Sequence, residues 1–72
     1  MIMEKAFAKN LRALRKERKL SQQKLASQVG VTQQCVSEWE KGKIEPTMSP
    51  LWRLADVFDI SIDELIGRKE LI

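Results

Sequence analysis

The chain has 72 residues, 43% of them hydrophobic and 32% charged, with a formal net charge of +3. That describes one small folded domain with a modest core and excludes a disordered segment. There is no histidine and only one cysteine, Cys35, so an internal disulfide and the usual metal-ligand spacings are excluded.

The first predicted element is a helix from Glu4 to Arg18. Phe7, Leu11 and Leu14 recur at i, i+4 and i+7 and mark its inward face. Lys5, Lys9, Arg12 and Lys16 share another stripe with almost no acids nearby. A solubilising surface accounts for most of that stripe and leaves room for one or two phosphate contacts. The second helix runs from Gln22 to Val29, opened by Ser21, whose hydroxyl can accept the free N–H groups of a first turn. Gly30 fits the left-handed residue that ends it. Thr32 caps the third helix, Gln33 to about Lys41. So tight a junction forces a sharp turn. Ala26 leaves room for a close crossing, and Leu25, Val29, Val31, Val36 and Trp39 supply the faces to bury. This is the sequence form of a helix-turn-helix, the unit that lays its second helix in the major groove of DNA.

Lys43 to Pro46 reads as a loop. The fourth helix ends near Phe58 and is expected to bury Met48, Leu51, Leu54, Ala55 and Phe58. Its start is open: Thr47 caps it with Pro50 in the first turn, or Ser49 caps it with Pro50 at the first position. Ser61 then caps a fifth helix, Ile62 to about Ile66, with Glu64 as the capping-box acid. A domain over residues 1–67 and a short tail over 68–72 complete the chain.

A helical wheel of the third helix places Val36, Trp39 and Glu40 on one side. Gln34, Ser37, Glu38 and Lys41 fall opposite, with Gln33 at the N-terminal shoulder. A merely solvated helix face would look the same. Two glutamines directly after the cap favour base reading, because an amide matches the adenine N7/N6 edge. Gln33, Gln34, Ser37 and Glu38 are therefore the expected base-reading residues. Ser21 and Gln22, at the start of the second helix, and Lys41 and Lys43, at the far end of the third, are the expected phosphate contacts. Arg15 and Glu40 both point towards the core. Burying either alone is expensive, so a salt bridge is favoured over two separate snorkelling side chains. Cys35, at the edge of the buried side, reads as a packing residue rather than a reactive thiol.

The stretches LRALRKERK (Leu11–Lys19), LSQQKLA (Leu20–Ala26), VGVTQQCVSEWEKGK (Val29–Lys43) and PTMSPLWRLADVFDISIDELI (Pro46–Ile66) resemble the phage-repressor, or lambda-repressor-like, helix-turn-helix family over nearly the whole chain. The resemblance implies an all-α compact bundle of five short helices that binds operator DNA, usually as a dimer. It also implies an Arg–Glu pair at Arg15 and Glu40. Repression by blocking polymerase is likewise an implication of the resemblance.

Charge distribution agrees with a polyanionic partner. Residues 1–43 carry ten Lys/Arg and four Asp/Glu, whereas residues 44–72 carry three and six. The positive half contains the helix-turn-helix, and phosphate neutralisation there would drive association. No nucleophile–base pair or glycine-rich phosphate loop suggests an enzyme, a cofactor or a small-molecule ligand. No apolar run approaches a membrane span, and MIMEKAF is too short and charged for a secretory signal, so a cytoplasmic location is expected. The expected function is a sequence-specific transcriptional regulator, with the repressor role that the family resemblance implies. The alternative is a protein-interaction module, such as an antitoxin or accessory partner, on the same bundle.

One reading helix covers few base pairs, so a weak homodimer is expected. Its expected contacts are Trp52, Ile62, Ile66, Leu71 and Ile72. For Trp52 the choice lies between covering the core edge and joining the dimer. For the other four it lies between the domain's own core and the dimer.

Overall fold

The computed structural model describes residues 5–68. Five helices follow one another: α1 (Lys5–Glu17), α2 (Gln22–Val29), α3 (Gln33–Glu40), α4 (Met48–Phe58) and α5 (Ile62–Ile66). No strand occurs among the described residues. The expected boundaries hold to within a residue, apart from the first helix's Glu4, which lies outside the described residues.

The caps explain those boundaries. Ser21 Oγ accepts from the Lys24 N–H at 3.0 Å, and Thr32 Oγ1 accepts from the Cys35 N–H at 3.2 Å. At α5 the capping box closes both ways. Ser61 Oγ accepts from the Glu64 N–H, and Glu64 Oε1 accepts from the Ser61 N–H, each at 3.0 Å. The start of α4 is settled by backbone. Thr47 takes the cap position without a side-chain hydrogen bond. Ser49 is inside the helix, where its Oγ accepts from Arg53 Nη1 at 2.8 Å. Pro50 falls in the first turn, where a missing N–H costs no helical bond.

α2 and α3 pack on each other, α1 on α3 and α5, and α4 on α2 and α5. One core results, built from Phe7, Leu11, Leu25, Ala26, Val29, Val36, Trp39, Leu51, Leu54, Ala55, Phe58, Leu65 and Ile66. Leu14, Val31, Cys35 and Ile62 are partly buried against it.

Two expectations are corrected. Met48 is 60% exposed rather than buried. It is the first residue of α4, and the apolar stripe of that helix meets its neighbours only from Leu51 onward. Ile66, an expected dimer contact, is 5% exposed and belongs to the domain's own core. A helix as short as α5 must turn its apolar side chains inward to be held at all. Leu71 and Ile72 lie outside the described residues.

Candidate nucleic-acid interface

The interface is built from the two caps outward. Ser21 and Thr32 start α2 and α3. Gly30, at φ 81°, turns the chain between them. The Val31 N–H then reaches back to the Ala26 carbonyl at 3.0 Å, which locks the turn. Val36 and Trp39 are buried, so the rest of α3 is turned outward. Gln33, Gln34 and Lys41 are exposed, and Ser37 and Glu38 are half-buried. Lys43 is exposed beyond the helix. The four expected base-reading residues thus lie along one polar side of α3.

Beneath that side runs a connected set of hydrogen bonds. Arg15 Nε donates to Glu40 Oε2 at 2.7 Å, and Nη2 donates to Oε1 at 3.1 Å. The remaining Nη1 donates to the Leu20 carbonyl at 2.8 Å. Gln22 Nε2 also donates to Glu40 Oε1, at 3.1 Å. Gln22 Oε1 in turn accepts from Gln33 Nε2 at 3.1 Å. A carboxylate only accepts, so Glu40 dictates which end of the Gln22 amide faces it. That choice leaves Gln22's oxygen towards Gln33 and fixes the polarity of the Gln33 amide as well. Gln33 keeps one N–H and its oxygen for another partner, and Gln22 keeps one N–H.

Sequence reasoning treated Gln22 only as a phosphate contact and missed this link. The one available signal was that Gln22 and Gln33 are each the first residue after a hydroxyl cap. Arg12 belongs to the basic stripe of the first helix, where room was left for one or two phosphate contacts. It lines a depression with Gln22, Ser37 and Lys41, next to the reading side. Cys35 is half-buried, and burial, helped by the nearby Glu38 charge, pushes its thiol pKa up. A thiol so placed is less, not more, ionised than a free one.

Trp52 is 62% exposed and is not among the side chains packed against the core. Met48, one turn earlier on the same side of α4, and Ile44 in the preceding loop are the other exposed large apolar residues among those described. The described residues contain no cluster of three or more metal-ligating side chains, and no helix long and apolar enough to cross a membrane.

Comparison with known proteins agrees with this geometry. A family model described as helix-turn-helix matches residues 11–65. The HTH-type transcriptional activator BcrR of Enterococcus faecalis is 39% identical over 66 residues, which are 92% of this chain and 32% of BcrR. This chain therefore spans about a third of that relative's length. The uncharacterised HTH-type transcriptional regulator y4dJ of Sinorhizobium fredii is 35% identical over 66 residues, covering 92% of this chain and 86% of y4dJ. Among solved structures, the P22 c2 repressor in complex with a synthetic operator superposes with a TM-score of 0.80 at 34% identity, covering 82% of this chain and 89% of that one. The buried frame of α2 and α3, the polar outward side of α3 and these likenesses lead to one conclusion: the chain belongs to the helix-turn-helix family of transcriptional regulators.

Proposed function

We propose that this chain binds double-stranded DNA sequence-specifically, with α3 in the major groove, and acts as a repressor by occupying a two-fold operator. The observation that carries this reading is the polar side of α3. Gln33, Gln34, Ser37 and Glu38 lie along it, and Gln33 is held from behind by the Arg15–Glu40–Gln22 hydrogen bonds. Gln33 offers an acceptor and a donor of set polarity, which suits an adenine edge. Glu38 suits a cytosine amino group, or excludes wrong bases by repulsion. Ser21 and the free N–H of Gln22 face the phosphates at the start of α2, and Lys41 and Lys43 do so beyond α3. A cytoplasmic location without cofactor fits this role.

A weak homodimer on DNA is part of the proposal. Its apolar contact is assigned to Trp52, with Met48 beside it and Ile62 at the margin; Ile66 is occupied in the core. The same exposed apolar side of α4 would serve the antitoxin or accessory reading, in which a different protein covers it.

Selection of bound duplexes from random DNA tests the reading. Wild-type protein is expected to return a preferred site, and Gln34→Ala to cost about 1–3 kcal/mol on it while relaxing one base position. A motif unchanged by Gln34→Ala and by Glu38→Ala would remove the reading side from α3.

A further inference from the structure

The basic stripe of α1 has a place in the fold that its sequence does not reveal. Lys9, Arg12 and Lys16 line an open groove of about 510 Å³ between α1 and the end of α3, together with Ala8, Ala13 and Lys41. All four cations are exposed. None of them forms an ion pair among the described residues. The one acid at the groove, Glu40, has its carboxylate taken by Arg15 and Gln22. Uncompensated positive charge beside small apolar residues suits a polyanion strand better than an apolar helix.

Position favours one occupant. Arg12 and Lys41 also line the smaller depression that holds Ser37 and Gln22, so the groove continues into the reading side of α3. Residues 9, 12 and 16 fall at i, i+3 and i+7 on one helix face. They span about 10 Å at 1.5 Å per residue. That is roughly the axial rise of three nucleotides of one strand.

We propose that Lys9, Arg12 and Lys16, with Lys41, form a second phosphate track that holds the DNA backbone running past the bases read by α3. The proposal rests on the DNA-binding reading above and adds three contacts from α1 to it. Arg12 sits at the junction and carries the most.

The experiment is a set of binding titrations over a range of salt concentrations, on the selected duplex and on a random one. The wild-type full chain is compared with Arg12→Gln and with the triple variant Lys9→Gln, Arg12→Gln, Lys16→Gln. The slope of log affinity against log salt is expected to flatten by about one for the single variant and about two or more for the triple. Affinity should fall by the same factor on both duplexes, with the selected base motif unchanged. Slopes equal to wild type in both variants overturn the track and leave the groove to an acidic peptide or to solvent. Should the triple variant fold poorly, Arg12→Gln alone decides. A wild-type protein that binds no duplex overturns the DNA reading and the track together. Loss of the motif on Gln34→Ala with unchanged α1 slopes overturns the track alone.

Discussion

Arg15 and Glu40 are the two residues on which the binding side depends most. Their side chains are only 12% and 5% exposed. The hydrogen bond to Glu40 raises the Arg15 pKa, against the lowering effect of burial. A guanidinium stays protonated across the ordinary pH range. It cannot escape the loss of its partner by giving up a proton. Glu40→Ala is expected to cost about 1–3 kcal/mol in urea unfolding, because a partly buried guanidinium is left with only the Leu20 carbonyl. The paired change Arg15→Met with Glu40→Leu should recover most of that loss, since apolar side chains of similar size carry no desolvation penalty. A loss below about 0.5 kcal/mol for Glu40→Ala, the level of an exposed ion pair, would show the pair to be solvent-screened. Base preference should separate the two variants from wild type in the same way, as both release Gln22 and with it the Gln33 amide.

At the level of the helices, the ends are better defined than the middles. Each of the five helices is followed by a residue in the left-handed region: Lys19, Gly30, Gly42, Asp59 and Gly67. After α1 the Leu20 N–H reaches the Arg15 carbonyl at 3.1 Å and the Lys19 N–H reaches Lys16 at 2.9 Å. Carbonyls at three of these ends are met by side chains from distant parts of the chain. Asn10 Nδ2 donates to the Glu64 carbonyl at 3.2 Å, Arg53 Nε to Val29 at 2.7 Å, and Arg18 Nη2 to Phe58 at 2.9 Å. Lys19 carries a Cβ at φ 56°, where it crowds the backbone. Lys19→Gly is expected to raise stability by about 0.5–1 kcal/mol, the relief exceeding the entropy glycine adds to the unfolded chain. Gly67→Ala should do the reverse. A Cβ there would lie 2.5 Å from the Ala6 Cβ, at φ 86°, so α1 and α5 could not stay as close. Thermal midpoints check both, and a lower midpoint for Lys19→Gly would mean that its side chain makes up for the strain elsewhere.

The whole molecule is polarised in two ways. Its basic half, α1 to α3, contains the proposed DNA side. Its acidic half, α4 and α5, carries the exposed apolar side chains Met48 and Trp52. The domain thus has two chemically distinct surfaces, one basic and polar, the other carrying exposed apolar side chains. Trp52→Lys together with Met48→Lys is expected to abolish cooperative binding to a two-fold operator while half-site binding and the thermal midpoint persist. Sedimentation on and off DNA measures this. Retained cooperativity would move the dimer contact elsewhere. Ile66→Lys, by contrast, should unfold the domain, because it puts a charge in a site that is 5% exposed.

Chain-local physics made much of this protein legible from sequence. Ser21, Thr32 and Ser61 mark helix starts because a hydroxyl cap acts within three residues. Gly30 marks a helix end because the left-handed region excludes a Cβ. The inward faces of α1, α2 and α3 follow from helical periodicity. The Arg15–Glu40 pair was foreseeable too, since two opposite charges on inward faces have few affordable alternatives. What the tertiary structure alone decided depends on distances between residues far apart in sequence. Met48 and Ile66 looked equally apolar, but only the arrangement of neighbouring helices leaves one exposed and covers the other. Gln22 looked like a surface amide until α2 and α3 crossed at an angle that set it between Glu40 and Gln33. Asn10, Arg18 and Arg53 carry no local sign of capping helices 24 to 54 residues away. Periodicity and caps are short-range and survive in the unfolded chain's sequence, whereas these contacts exist only once the helices have packed.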